Sequence, residues 1–97
     1  MLGAATPINV EKIKNNDEYH PVKVDARTLQ IVWDMDRNLV VQVYKDGNII
    51  FPPGDSHKES SSGVSIRLDP HLYQIKLWIP RDLEPFRVVW VEIRNRG

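Results

Sequence analysis

Hydrophobic and polar residues alternate along most of this 97-residue chain, a pattern typical of strands that bury one face. Clear alternation predicts strands at residues 28–33, 39–44, 64–68, 73–79 and 86–94, and weaker alternation predicts strands at 7–13, 19–25 and 49–51. Asp46-Gly47 is typical of a two-residue hairpin turn. No segment keeps a helical period without an intervening proline, glycine or β-branched run. The pattern therefore predicts an all-β fold, an antiparallel Greek-key β-sandwich of about seven strands.

Residues 68–77 are typical of a corner at which the chain crosses from one sheet of a sandwich to the other. Leu68 ends one predicted strand, Pro70 turns the chain, and Tyr73 opens the next strand. The hydroxyl of a tyrosine in this position can bond back to the backbone just upstream and hold the crossing. We therefore expect Leu68, Pro70 and Tyr73 to form a structural corner.

This corner, Leu-x-Pro-x-x-Tyr-x-Ile-x-Leu, resembles that of fibronectin type III domains. Trp33 ends a strand where those domains similarly place a core tryptophan, and Pro7-x-x-Val10 is similar to their opening strand. The resemblance covers residues 7 to about 95, and the turn at 44–47 looks equally like an immunoglobulin hairpin. It implies a non-enzymatic structural or protein–protein interaction module of a larger multidomain protein, whose partner is a protein or a neighbouring domain. The link at 14–27 is longer than usual in the family, which indicates an extra strand or a bulge.

Composition and charge narrow the possible functions. The chain is long enough for one domain, predicted at residues 7–97 after a linker-like tail at 1–6. Thirteen basic and thirteen acidic residues give zero net charge, which argues against a nucleic-acid partner. There is no cysteine, and no apolar run approaches the roughly 20 residues of a membrane span. Without a signal peptide or a glycosylation sequon, an extracellular surface and the cytoplasm are both compatible locations.

One loop has the spacing of a calcium site. Asp34, Asp36 and Asn38 match the opening of a calcium-binding loop, which needs several oxygen ligands. Leu39 and Lys45, however, stand where an EF-hand requires glycine and glutamate, so an EF-hand is excluded. The favoured interpretation is an acidic loop between strands whose carboxylates cap turns, and a simpler cation site built from this loop is the alternative.

Histidines and serines do not form a recognisable catalytic pattern. Zinc needs three or four ligands at one point, and the three histidines, His20, His57 and His71, are scattered. The polar segment 54–63 places Asp55 and several serines near His57, but a catalytic triad requires preorganised geometry. We expect a mobile, solvated loop there, and predict no catalytic residue, no metal and no cofactor.

Aromatic residues are predicted to share the outer face of one sheet. If Tyr73 points inward, the period of two places Trp78 outward, and the same reasoning for the neighbouring strands places Trp90 and Tyr44 beside it. The predicted binding face comprises Tyr44, Trp78 and Trp90, supported by Val40 and Val88, with Gln42, Lys76 and Glu92 as its rim. Large exposed apolar patches usually mark a binding site for a partner or ligand, and Trp and Tyr are enriched at binding hot spots.

Other interpretations of this face stay open. Lys76, Arg87 or Arg94 could lay their stems across the rings, in a ladder that only stabilises the sheet. A one-residue slip in register would put Trp90 in the core instead. Aromatic rings on a sandwich can also stack on sugars, so a carbohydrate-binding module is an alternative function, and a viral or phage decoration domain is another.

Overall fold

The structure is a computed structural model, and it describes residues 7–23, 28–34, 36–52 and 59–94. These residues form nine strands and one 3₁₀ turn, Val10–Lys12. The strands are β1 Ile8–Asn9, β2 Glu18–Lys23, β3 Thr28–Val32, β4 Leu39–Lys45, β5 Asn48–Phe51, β6 Glu59–Ser60, β7 Gly63–Arg67, β8 His71–Trp78 and β9 Arg87–Arg94. The all-β prediction is confirmed, although the described residues contain more strands than the seven predicted.

Two sheets make up the fold. The smaller has the order β1-β3-β7 and the larger has the order β2-β9-β8-β4-β5, with β6 pairing beside the start of β4. Most neighbours are antiparallel, but β1 runs parallel to β3 and β2 runs parallel to β9. The prediction of a purely antiparallel sandwich is therefore wrong at these two edges. Many residues separate each early strand from its partner, so the chain can return and run in the same direction.

The buried residues of the described ranges form a hydrophobic core between the sheets. Every second residue of the central strands is buried, as expected where one face of each strand packs inward. The larger sheet contributes Val41, Val43, Tyr73, Ile75, Leu77, Val89, Val91 and Ile93, and the smaller sheet contributes Ile8, Leu29, Ile31 and Ile66. This burial fixes the inner face of each strand, and therefore fixes the outer face as well.

The corner joins the two sheets, because β7 belongs to the smaller sheet and β8 to the larger one. Tyr73 is 2% exposed, and its hydroxyl donates a hydrogen bond of 2.6 Å to the backbone carbonyl of Asp69. Burial, and then the charge of Asp69, raise the pKa of Tyr73. Leu68 is buried, and Pro70 is half-buried in the turn. The predicted tyrosine corner is thus present, with Tyr73 pointing inward.

Trp33 fills the core just after β3. It is 4% exposed, and its indole Nε1 donates to the carbonyl of Arg37 at 3.2 Å. A buried indole needs a partner for its N–H group, and the backbone of the following loop supplies one.

The opening strand is shorter than predicted. β1 ends at Asn9, whose side chain accepts a hydrogen bond of 3.0 Å from the backbone N–H of Glu11 and caps the 3₁₀ turn. Asparagine competes with strand pairing through such local bonds. The turn buries Val10 and Ile13 together, since residues three apart share one side of a 3₁₀ turn.

The polar segment predicted as a mobile loop at 54–63 is partly ordered in strands. Glu59 and Ser60 pair with Val40 and Leu39, and Ser60 Oγ donates to the carbonyl of Gly63 at 2.6 Å. Gly63 opens β7, where an added Cβ would lie 2.6 Å from the carbonyl oxygen of Ile31. Close pairing with β3 therefore requires glycine here. Residues 53–58 lie outside the described part of the chain.

Two local predictions are confirmed. The long link at 14–27 contains the extra strand β2, an edge strand that tolerates Pro21. The β4–β5 hairpin turns through Asp46 and Gly47, with φ of 52° and 84°. Positive φ at both positions is the type I′ turn that Asp-Gly favours.

We predict that Tyr73→Phe lowers the free energy of unfolding by about 0.5–1.5 kcal/mol, the contribution of a typical buried hydrogen bond. Chemical denaturation measures this loss. The matched control is Tyr44→Phe, whose hydroxyl bonds on the half-buried outer side of the same sheet and should matter less. Equal stability of Tyr73→Phe and the natural chain would contradict the role of the corner bond.

Candidate binding face

The outer face of the larger sheet has the strand order that the aromatic prediction requires. β9, β8 and β4 are neighbours, with Trp90 opposite Gln74 and Gln74 opposite Tyr44. Val89 and Val91 are buried, so Trp90 lies on the opposite, outer side of its strand. The alternative register with Trp90 in the core is therefore wrong.

The predicted face residues differ in accessibility. Tyr44, Trp78, Val88 and Trp90 are half-buried on the outer side. Val40 was expected to be exposed, but only 8% of its surface is accessible. The correction has a simple cause: β4 is flanked on both sides at this point, so Val40 lies between Trp78 on β8 and Glu59 on β6.

The two outer tryptophans are not adjacent. Trp90 lies opposite Gln74, and Trp78 lies four residues further along β8, a separation of about 13 Å along the strand. Lys76 and Val88, which face each other, stand between them. The face predicted as one patch therefore consists of two zones.

Around Tyr44 the side chains form a ladder of polar contacts. Gln42 Oε1 accepts hydrogen bonds from Trp78 Nε1 at 2.7 Å and from the Tyr44 hydroxyl at 3.2 Å. The Lys76 ammonium group lies 4.6 Å from the centre of the Tyr44 ring. Such a cation–π contact contributes roughly 0.5–1 kcal/mol at an exposed site. Of the three cations considered for stacking, Lys76 covers a predicted face residue, whereas Arg87 lies over Phe86.

The first zone is a row that crosses the whole sheet, which we name the cross-sheet row. The strands β2, β9, β8, β4 and β5 each contribute one residue to it, in the order Tyr19, Trp90, Gln74, Tyr44 and Ile49. Tyr19 is 52% exposed and Ile49 is 43% exposed. Five strands at the usual spacing make this row about 19 Å wide.

Sequence reasoning missed three apolar members of the outer face. Leu72, 44% exposed, shares the parity of Trp78 on β8, so strand alternation could have found it. Placing Ile49 on this face requires its pairing with Tyr44, and placing Tyr19 there requires the parallel pairing of β2 with β9. These long-range pairings leave no local signal in the sequence.

A charged cluster closes one end of the cross-sheet row. The Tyr19 hydroxyl donates a hydrogen bond to Glu92, and Arg94 Nη2 lies 3.0 Å from both the Tyr19 hydroxyl and Glu92 Oε1. The hydrogen bond from Tyr19, and then that from Arg94, lower the pKa of Glu92. The same bond to Glu92 raises the pKa of Tyr19. These contacts hold the edge strand β2 against β9.

The second zone is a cleft beside Trp78, which we name the Trp78 cleft. Its volume is about 460 Å³. Its walls are β6 on one side and the loop after β8 on the other, and its lining residues are Val40, Gln42, Glu59, Trp78, Ile79, Pro80, Arg81 and Asp82. A second hollow of about 310 Å³ shares Glu59, Ile79, Pro80 and Arg81 with it. The cleft combines an apolar floor with a rim of charged groups.

Candidate chemical residues do not converge within the described ranges. His20 lies 3.2 Å from Glu18, and His71 lies 3.2 Å from Asp46. The two histidines are on different strands. In this part of the chain no three or more His, Asp or Glu side chains are grouped as metal ligands. Asp55 and His57 lie outside the described residues.

The acidic loop after β3 makes contacts within the protein. The backbone N–H of Asp34 donates to Glu11, and the Asn38 amide donates to Glu59 Oε2 at 3.3 Å. Neither bond uses a carboxylate of this loop, so the interpretation that its carboxylates cap turns stays a prediction. Among the residues that the structure describes, no helix has the length and apolar character needed to cross a membrane.

Comparisons with protein-family models, curated proteins and solved structures find no match to this chain.

We predict that Tyr19→Phe raises the pKa of Glu92 towards 4.5, the ordinary value, because the carboxylate loses its principal hydrogen-bond donor. A lowered carboxyl pKa stabilises the fold above the unfolded-state pKa, and this contribution is lost as the pH falls through the folded-state pKa. The stability lost on acidification should therefore be smaller in Tyr19→Phe than in the natural chain.

Carboxyl NMR titration measures the pKa of Glu92 directly. Tyr44→Phe is the control, since that hydroxyl donates to the uncharged Gln42 and should leave Glu92 unchanged. A pKa of Glu92 that is the same in Tyr19→Phe and the natural chain would rule out the bond as its cause.

Proposed function

We propose that this chain is a non-enzymatic, fibronectin type III-like module of the immunoglobulin-like class, part of a larger multidomain protein. It acts as a structural or protein–protein interaction unit. Its partner is another protein or a neighbouring domain of the same chain. The contact is made by the outer face of the larger sheet, centred on the cross-sheet row.

Strand order supports the fold assignment. With the edge strand β2 and the two-residue β6 set aside, the first, second and fifth of the remaining strands share one sheet, β1-β3-β7. The third, sixth and seventh, β4, β8 and β9, share the other. Immunoglobulin-like sandwiches divide their strands in this way. The corner bond of Tyr73 and the buried Trp33 support the same assignment.

The observation that carries the binding proposal is the gathering of accessible apolar side chains on one face. Tyr19, Ile49 and Leu72 are each more than 40% exposed, and all three join the half-buried Trp90 and Tyr44 there. Soluble proteins seldom leave such patches without a partner. Tyr and Trp are also the residue types that dominate binding energy at protein interfaces.

Polar groups are arranged around these apolar residues as they are at protein interfaces. Glu92 and Arg94 border the row at one end, and the half-buried Lys76 and Gln42 lie towards the Trp78 cleft. Interfaces typically combine an apolar, aromatic centre with a polar rim. The cation–π contact of Lys76 with Tyr44 holds that ring in place, which lowers the entropy lost on binding.

The proposal is tested by photo-crosslinking followed by affinity measurement. A photoreactive residue at Leu72, which is exposed beside the row, captures the partner, and the purified partner is then titrated against variants. We expect Trp90→Ala and Tyr19→Ala each to weaken binding about tenfold or more, as hot-spot residues do. Their midpoints of thermal unfolding should change by only a few degrees.

The control is Gln30→Ala with Ser65→Ala, an exposed pair on the outer side of the smaller sheet, which should leave the affinity unchanged. Unchanged affinity in Trp90→Ala and Tyr19→Ala, together with a large loss of stability, would mean that the aromatic face only stabilises the sheet.

A further inference from the structure

We propose that the Trp78 cleft is a binding site for a neutral saccharide. The proposal does not depend on the protein-binding role of the cross-sheet row, because the cleft is a separate cavity beside Trp78, about 13 Å along β8 from the row. Its basis is the chemistry of the lining: a tryptophan floor, a rim with both donors and acceptors, and side-chain charges that do not favour a strongly charged ligand.

The floor offers an aromatic ring already held in position. Trp78 Nε1 donates to Gln42 Oε1 at 2.7 Å, and Gln42 is held in turn by the Tyr44 hydroxyl at 3.2 Å. The face of an aromatic ring carries partial negative charge, and the C–H groups of a sugar ring are weakly positive. A pyranose can therefore stack on Trp78 without reorganising it, and Val40 continues the apolar floor.

The rim suits a ligand that both donates and accepts hydrogen bonds. Arg81 provides guanidinium donors, while the carboxylates of Glu59 and Asp82 accept. Gln42 uses its oxygen for Trp78 and Tyr44, so its amide N–H₂ group is left as a donor. Guanidinium, carboxylate and amide groups are planar, so each can bond to two neighbouring hydroxyls at once. Neighbouring hydroxyls are the recurrent feature of a sugar ring.

The side-chain charges in the cleft disfavour charged ligands. A phosphate, sulfate or carboxylate would meet Glu59 and Asp82, whereas a cation would meet Arg81 and, in the adjoining hollow, Arg37, so the two hollows together carry no excess of either charge. A nucleotide could stack its base on Trp78, but its phosphates would face the same carboxylates. A neutral polyhydroxyl ligand avoids both kinds of charge repulsion, and its hydroxyls can form hydrogen bonds with Arg81, Glu59 and Asp82.

Size and backbone geometry also support a ligand site. The volume of about 460 Å³ lies within the usual range for small-molecule pockets, and the adjoining hollow of about 310 Å³ extends it. Because the two hollows share Glu59 and Arg81, a chain of linked sugars can continue from one into the other. Arg81 holds φ at 75°, a conformation costly for a non-glycine residue and frequent at ligand sites.

The test is a titration of the full chain with linear oligosaccharides of glucose, mannose, galactose and N-acetylglucosamine, read by tryptophan fluorescence and by the Trp78 indole N–H resonance. AMP and a sulfated glycosaminoglycan are the charged probes. We expect saturable binding of at least one neutral oligosaccharide, a shift of the Trp78 resonance, and weaker binding of both charged probes.

Variants separate the cleft from the rest of the face. Trp78→Ala removes the stacking surface and should weaken binding about tenfold or more. Arg81→Gly removes the donor while relieving the positive φ, so the fold should be as stable as before or more so, and binding should weaken about tenfold. Trp90→Ala, the matched tryptophan outside the cleft, should change saccharide affinity less than about twofold.

Three results would overturn the proposal: no neutral oligosaccharide binding at millimolar concentration, tighter binding of AMP or the glycosaminoglycan, or undiminished saccharide affinity in Arg81→Gly. None of them bears on the protein contact of the cross-sheet row, which is tested through Trp90 and Tyr19.

Discussion

The hydrogen bond from the Tyr73 hydroxyl to the carbonyl of Asp69 holds the corner between the two sheets, and together with the burial of Tyr73 it sets the orientation of β8 in the larger sheet. It holds the chain at the crossing from β7 to β8, and it requires the Tyr73 ring to be inside the core. Because side chains alternate along a strand, the inward position of Tyr73 determines the side on which Gln74, Lys76 and Trp78 emerge. Since β8 pairs with both β9 and β4, its orientation extends to Trp90 and Tyr44 as well.

The outer face produced in this way has two parts with different chemistry. The cross-sheet row spans all five strands of the sheet's main order and exposes aromatic and aliphatic groups beside a charged edge. The Trp78 cleft is concave, and β6 and the turn around Arg81 wall it on two sides. The ladder of Lys76, Tyr44, Gln42 and Trp78 links the two parts, so the contacts that stabilise the sheet also hold the rings in fixed positions. Stabilisation and binding are therefore compatible roles for the same side chains.

Local patterns were sufficient for the central strands and for the corner. Alternation identified β3, β4, β8 and β9 as strands that bury one face, and Asp46-Gly47 identified the hairpin, because each depends on neighbours close in sequence. The inner position of Tyr73 followed from the same alternation. Two short segments were predicted wrongly for an equally physical reason: in the alternating segment 7–13 Asn9 caps a 3₁₀ turn, and Glu59, in a segment without a hydrophobic pattern, pairs with Val40.

The candidate site was predictable only in part. Trp78, Trp90 and Tyr44 were found from parity, but their spacing was not, because it depends on the register between β8 and β9. Tyr19 joins the face only through parallel pairing over a long sequence separation. The Trp78 cleft requires β6 beside β4 and the turn at Arg81, and both are consequences of tertiary pairing. Contacts between distant segments therefore supply most of what makes this face a site.

Hydroxyl-radical footprinting of the three tryptophans tests the central claim most directly, since labelling follows side-chain accessibility. The account predicts that Trp33, 4% exposed in the core, is protected in the folded chain, whereas Trp78 and Trp90 are both labelled on the outer face. Protection of Trp78 or Trp90 to the same degree as Trp33 would contradict the orientation of β8 and β9, and with it both proposed sites.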